Sequence, residues 1–307
     1  MAPSASDSAK NEKNGKAKPK VAPKKAMSSA IRPIFLQHAL YGEVKTYAAE
    51  RKADELAESV DALLKQTPDS AWLLDALLKR AQVAIDQGDE AKLAEAAEYA
   101  KQKASAAGAG AEVADHIAIR RAQYLVTHNK AKEAETLYEE LQKSPVGVVA
   151  EQAKLGLAEI QLASGQIVPA TQTFRRLLRE SKESIVKCSA HRGLGDAQMK
   201  ELQARPTLEG LREALENYLR AVVICFPGEG DSLEPYQQAL LSAGACAEEM
   251  VAFCKKDPKS QKDSKPQDDY RKLARDLYND LLKYYPQSAA AKKAQESLGK
   301  LRAGGAQ

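Results

Sequence analysis

The residues with the greatest capacity for chemistry are few and scattered along the chain. There are four cysteines and four histidines in 307 residues, and the many carboxylates follow helical spacings typical of solvated faces. The sequence contains no HExxH, GxSxG or GxGxxG pattern and no phosphate loop. Because nucleophiles, metals and nucleotides need partners at short characteristic spacings, we predict no catalytic, metal or cofactor-binding residues. We therefore expect a protein that is not an enzyme, uses no cofactor and has no small-molecule substrate.

The four cysteines are spread over the second half of the chain, at Cys188, Cys225, Cys246 and Cys254. They form no CxxC pair and have no neighbouring histidine at a zinc-ligand spacing. A cysteine that is neither paired nor a ligand usually behaves as a small buried apolar residue. We predict four buried, reduced thiols.

Charge is concentrated at the N-terminus. Residues 1–33 contain eight basic and two acidic residues, a formal +6, so the whole-chain charge of +4 leaves −2 for residues 34–307. Residues 1–33 are also rich in Ala, Lys, Pro and Ser and poor in bulky apolar residues, which predicts a disordered basic tail. The tail either solubilises the chain or tethers it electrostatically to nucleic acid, the ribosome or an anionic membrane. We also predict disorder for residues 303–307.

The N-terminal sequence has no apolar segment typical of a signal peptide, and no lipidation cysteine precedes Cys188. No run of about 18 apolar residues is present either. We therefore expect a cytoplasmic location.

The remainder of the sequence is helical in character, and one stripe recurs in it. A small residue, an aromatic four positions on and a small or aliphatic residue three further share one helical face. The copies are Ala134/Tyr138/Leu141, Ala170/Phe174/Leu177, Ala214/Tyr218/Ala221 and Ala274/Tyr278/Leu281. Because the aromatics lie on the apolar face, we predict that they belong to the core and do not contact a ligand.

Residues that end helices divide the predicted helices into pairs. Pro68 ends the second helix, and Gly88, Asn129 and Gly165 are residue types that tolerate the left-handed backbone at a helix end. The pairs recur every 34–40 residues or so, which is the signature of a solenoid of helical hairpins. A last helix over 288–301 would cover the open end, and the polar connector 256–267 is expected to be flexible.

The stripe resembles the second helix of the tetratricopeptide repeat. The first-helix signature of that family is also present, as the pairs Leu155-Gly156, Leu194-Gly195 and Ala243-Gly244. The resemblance covers about 38–286 and implies an all-α fold, a right-handed α-solenoid of about six hairpins plus a C-terminal capping helix over 34–302. The family tryptophan is missing from its usual place, and we expect Trp72 to pack at a helix start. The segment 274–301 is also similar to the last repeat of bacterial envelope-associated proteins of this family.

The resemblance also implies that a partner binds on the concave face, which the first helix of each hairpin lines. In the register of the family, the groove residues are His38, Tyr41, Lys45, Asp75, Leu78, Gln82, His116, Ile119, Gln123, Gln152, Leu155 and Glu159. This mixture of polar and aliphatic side chains suits an extended peptide or a helix of another protein. The leading hypothesis is a non-enzymatic protein-binding scaffold. The alternatives are a tethering adaptor that uses the basic tail and, if the chain is exported, an envelope assembly factor.

Overall fold

The computed structural model describes residues 31–104, 110–227, 233–257 and 265–303, and every regular element in these ranges is a helix. The helices are α1 Ile31–Glu50, α2 Ala53–Gln66, α3 Leu73–Gln87, α4 Glu90–Tyr99, α5 Gly110–Thr127, α6 Ala131–Leu141, α7 Gly147–Ala163, α8 Ile167–Glu180, α9 Ser184–Leu202, α10 Leu208–Ile224, α11 Glu234–Lys256, α12 Lys265–Tyr284 and α13 Ala289–Ala303. Ala100–Ala104 prolongs α4 as a π-helical turn. Residues 1–30 of the predicted tail 1–33, most of the 256–267 connector and residues 304–307 lie outside the described residues. Residues 31–33 and Ala303, which were predicted to belong to the disordered ends, lie instead in α1 and α13.

Consecutive helices pack as antiparallel hairpins, from α1/α2 to α11/α12, and each odd-numbered helix also contacts the next odd-numbered helix. The predicted all-α solenoid is therefore confirmed. α13 packs on α11 and α12, burying Ala290, Ala294 and Leu298 and exposing Lys292 and Lys293. A helix with a polar outer face is what the end of a repeat array needs, because the last hairpin would otherwise leave its apolar side in water.

The first four hairpins share one turn geometry. Arg51, Gly88, Asn129 and Gly165 each have a positive φ, between 56° and 86°. In each case the next residue donates its N–H to the carbonyl five residues back, as Asp89 does to Ala84 at 2.9 Å. This is the Schellman end of an α-helix. These four residues therefore fix the register of the repeats, and successive equivalent positions lie 37, 41 and 36 residues apart.

The recurring stripe forms the core of the later hairpins. The four stripe alanines are fully buried, and Tyr138, Phe174, Tyr218 and Tyr278 are at most 3% exposed. Each ring lies directly over a glycine of a neighbouring odd-numbered helix: Gly156, Gly193, Gly195 and Gly244, respectively. Any β-carbon at these glycines would overlap the ring, so the glycines are required by the close approach of the helices. The predicted core role of the aromatics is confirmed.

Two serines tie the ends of hairpins to acidic side chains. Ser144 donates its hydroxyl to Asp115, and Ser181 donates its hydroxyl to Glu151, both at 2.5 Å. Each serine oxygen also accepts the N–H two residues later, from Val146 and Glu183. The same turn thus recurs with a spacing of 37 residues and positions the start of the next helix.

The prediction of four reduced thiols is wrong for one pair. Cys188 in α9 and Cys225 at the end of α10 form a disulfide, with 5.6 Å between their α-carbons. They lie 37 residues apart in sequence, and the antiparallel hairpin brings them together. Cys246 and Cys254 remain free and buried in α11, as expected. Burial raises the pKa of the Cys246 thiol to about 12, and the nearby Glu249 adds to the shift.

Candidate protein-binding face

The odd-numbered helices line the inner side of the array. Their backbones approach one another closely from α1 to α11, whereas successive even-numbered helices within the described residues do not pack together to the same degree. A stack in which one layer is tighter than the other curves toward the tighter layer. We call the exposed side of the odd-numbered helices the inner face and the exposed side of the even-numbered helices the outer face.

An aromatic cluster occupies the N-terminal end of the inner face. Tyr41 stacks on Trp72 with 4.9 Å between ring centres, and His38 meets Trp72 edge-on at 4.6 Å. The Lys45 ammonium lies 5.3 Å from the centre of the Tyr41 ring. His38 and Lys45 are exposed, while Tyr41 and Trp72 are half-buried. Trp72 immediately precedes α3, so its predicted packing role at a helix start is confirmed.

A hydrogen-bonded group continues from this cluster onto α3. Tyr41 donates its hydroxyl to Asp75 at 2.5 Å, and Asp75 also forms an ion pair with Lys79 at 3.1 Å. Burial, together with the hydrogen bond to the Asp75 carboxylate, raises the pKa of Tyr41 to about 12. Tyr41 therefore stays a neutral hydrogen-bond donor throughout the physiological pH range.

The middle of the inner face is polar. Gln82 accepts a hydrogen bond from Arg120 of α5 at 3.3 Å and donates one to Asp86 at 2.9 Å. His116 is half-buried and Gln123 is exposed, both on α5. Amide and guanidinium groups in such a row can hydrogen-bond to the backbone of an extended chain.

An ion-pair network lies further along, between α7 and α9. Arg192 contacts Glu159 at 2.5 Å and Asp196 at 3.3 Å, and Asp196 also accepts the Tyr218 hydroxyl at 2.8 Å. Burial raises the pKa of Glu159, Asp196 adds to this, and the attraction of Arg192 opposes it. Gln152, also on α7, is half-buried.

The structure thus brings together some of the predicted groove residues and separates others. Tyr41 meets Asp75 directly, whereas Gln82 and Glu159 reach neighbouring helices through Arg120 and Arg192. Ile119 and Leu155 are 4% and 8% exposed, so both belong to the core and not to the groove lining. Leu78 is half-buried and packs against the core of the first hairpins.

Sequence reasoning missed the cations Arg120 and Arg192. The repeat pattern indicates neither of them. Arg192 follows Glu159 by 33 residues, whereas equivalent positions of these two hairpins, such as Gly156 and Gly193, lie 37 residues apart. Arg120 follows Gln82 by 38 residues, whereas equivalent positions of the second and third hairpins lie 41 residues apart.

We expect Arg192→Met to lower the free energy of unfolding by about 1–3 kcal/mol at pH 7, because it leaves two half-buried carboxylates without their cation. The folded-state pKa of Glu159 is already raised and would rise further in this variant. The native state then takes up a proton before the unfolded state does. The difference in unfolding free energy between wild type and variant should therefore become smaller as the pH falls from 7 toward about 5.

Urea unfolding of Arg192→Met at both pH values checks this expectation. Arg220→Met is the matched control, because Arg220 forms an exposed pair with Glu216, with side chains 58% and 62% exposed. Such a pair contributes about 0.5 kcal/mol or less. Equal losses of unfolding free energy in the two variants would contradict a stabilising role of the network. So would a loss in Arg192→Met that does not depend on pH.

Within the described residues, no three His, Cys, Asp or Glu side chains are grouped closely enough to hold a metal ion. No helix in the same ranges has the combined length and apolar character needed to cross a lipid bilayer.

Comparison with known proteins finds likeness only among solved structures. The chain matches no protein-family model and no curated protein. It is similar to PilF of Pseudomonas aeruginosa (15% identity, TM-score 0.45, covering 87% of this chain and 99% of that one). It is also similar to PilW, a type IV pilus biogenesis factor (14% identity, TM-score 0.47, covering 84% of this chain and 98% of that one). A third similar structure is BtubC of P. vanneervenii (18% identity, TM-score 0.40, covering 83% of this chain and 94% of that one). At these levels the class of protein follows from the chain's own packing, which is an α-solenoid of stacked helical hairpins.

Proposed function

We propose that this protein is a non-enzymatic scaffold that binds a segment of another protein on its inner face. The observation that carries the proposal is the composition of that face. The exposed His38 and Lys45 lie beside the half-buried rings of Tyr41 and Trp72. A row of amides and ion pairs on α3, α5, α7 and α9 follows this cluster. Stacking groups beside regularly spaced hydrogen-bonding groups suit an extended peptide or one face of a helix.

Affinity capture from native cells, with paired charge variants, tests this proposal. Lys45→Glu combined with Gln123→Glu changes two exposed inner-face residues, and Lys132→Glu combined with Glu135→Lys changes two exposed residues of α6 on the outer face. We expect the inner-face variant to lose the captured protein by about tenfold or more, while the outer-face variant retains it. The opposite pattern would contradict the proposal.

The Cys188–Cys225 disulfide favours a second candidate, an assembly factor of the cell envelope. Disulfides persist mainly in oxidising compartments such as the periplasm. Cell fractionation tests this: recovery of the oxidised protein in the envelope fraction supports an envelope role, and exclusively reduced protein in the cytoplasmic fraction contradicts it.

The tethering alternative rests on the basic tail of residues 1–33, and 1–30 of these lie outside the described residues. If the tail tethers the chain, binding to an anionic surface should weaken steeply with ionic strength and vanish when residues 1–30 are removed.

A further inference from the structure

A cleft opens on the outer face where α4 and α6 diverge over α5. Its volume is about 600 Å³, within the range of about 300–1,000 Å³ typical of small-molecule sites. Small and aliphatic side chains make up its apolar lining: Ala94, Ala97, Ala114, Ala118, Leu137 and Leu141. The cleft lies on the side of the array opposite to the inner face, so it is a separate surface from the proposed protein-binding site.

Arg121 of α5 lines this cleft, and one of its donor atoms makes no hydrogen bond within the described residues. Its Nε atom is buried and has no hydrogen-bond partner among the described residues. A buried donor that makes no hydrogen bond loses its interaction with water without compensation. An acceptor from outside the chain, either water or a bound ligand, would satisfy such a group.

The preceding hairpin shows the partners of an arginine at the equivalent position. The Schellman residues Gly88 and Asn129 place Arg80 of α3 and Arg121 in equivalent positions, each eight residues before the turn. Arg80 forms an ion pair with Glu95 at 2.6 Å, and its guanidinium lies 4.6 Å from the centre of the Tyr99 ring. Its side chain is 10% exposed. One carboxylate and one aromatic ring therefore contact this arginine.

Both partners are absent one hairpin later. The position equivalent to Glu95 is Thr136, and the position equivalent to Tyr99 is Glu140, which is exposed. The space that a tyrosine ring fills between α2 and α4 is part of the open cleft between α4 and α6, where the floor includes alanines. The third hairpin thus has the arginine without the carboxylate–aromatic pair.

We propose that the cleft between α4, α5 and α6 binds a small aromatic carboxylate. The carboxylate pairs with the Arg121 guanidinium as Glu95 pairs with Arg80, and the ring lies on the guanidinium and the alanine floor as Tyr99 lies on Arg80. Lys101 and Lys143 at the rim attract an anion, while Glu98, Asp115 and Glu140 oppose this attraction. Selectivity for an anion therefore depends on Arg121.

Binding of naphthalene-2-acetate to the full chain, measured by titration calorimetry, tests the proposal. We expect saturable binding that weakens at least about tenfold when the probe is the neutral 2-(2-naphthyl)ethanol, because the charge-assisted pair is lost. Arg121→Met should cause a similar weakening. Ala118→Phe, which fills the cleft, should abolish binding. Arg175→Met is the control, because Arg175 is exposed on α8 and lies outside this cleft, and it should bind like the wild type.

Thermal unfolding separates a ligand-binding arginine from a structural one. We expect Arg121→Met to leave the Tm unchanged or raised, and Arg80→Met to lower it, because only Arg80 has its partners within the chain. Three results would overturn the proposal: no saturable binding up to about 5 mM, binding that both cleft variants leave unchanged, or a loss of stability at Arg121 equal to that at Arg80. None of these measurements depends on the inner face, so their outcome does not bear on the protein-binding proposal.

Discussion

Phe174→Ala is expected to lower the free energy of unfolding by about 3–5 kcal/mol, the range for removing a fully buried aromatic ring. Phe174 is completely buried and lies over Gly193 of the next hairpin. Because the ring joins two hairpins, its loss should weaken the interface between neighbouring repeats on which a solenoid depends. Urea unfolding followed by circular dichroism measures the effect.

Val168→Ala is the matched control for this prediction. Val168 lies on the same helix, α8, six residues away and 65% exposed, so its truncation should cost no more than about 0.5 kcal/mol. A loss at Phe174 as small as the loss at Val168 would show that the ring does not hold the two hairpins together.

Reduction of the Cys188–Cys225 disulfide is expected to destabilise the chain by about 3–4 kcal/mol, because the bond restricts a loop of some 37 residues in the unfolded state. The measurement is the shift in the urea midpoint on adding a thiol-free reductant. The Cys188→Ala/Cys225→Ala variant should have the urea midpoint of the reduced wild type, and the reductant should not change that midpoint.

Thiol counting under denaturing, non-reducing conditions gives an independent check on the disulfide. We expect alkylation of two thiols, Cys246 and Cys254, and of four after reduction. Alkylation of four thiols without reductant would contradict the disulfide. In the folded protein, the raised pKa and burial of Cys246 predict slow labelling at pH 8.

The architecture could be predicted because it depends on local and repeated features. The spacing of alanine, aromatic and aliphatic residues defines one face of a helix, and its recurrence implies stacking against equivalent faces. The helix ends at Gly88, Asn129 and Gly165 follow from residue type alone. Arg51, the fourth positive-φ residue, could not be anticipated, because a bulky L-residue is disfavoured in this conformation.

The disulfide and the polar network could not be predicted in the same way. Cys188 and Cys225 are adjacent only because α9 and α10 run antiparallel with a particular offset, which the long turn between them sets. The partners of Glu159 and Gln82 likewise depend on offsets that vary between 36 and 41 residues from one hairpin to the next. A single sequence identifies these side chains as polar helix residues but does not align them across repeats.

The candidate groove was only partly predicted, because the family register assigns a face to each helix but does not determine burial. Ile119 and Leu155 were expected at the surface and are core residues. Trp72 was assigned to packing and proves to be the platform on which His38 and Tyr41 rest.

Site-specific photo-crosslinking tests the inner-face proposal most directly. A benzophenone amino acid would replace exposed Gln123 on α5 in one variant and exposed Lys132 on α6 in another, and both would be irradiated in native cells. The proposal predicts a covalent adduct with a single protein from position 123 and none from position 132. An adduct that forms from position 132 and not from position 123 would place the partner on the outer face and contradict the proposal.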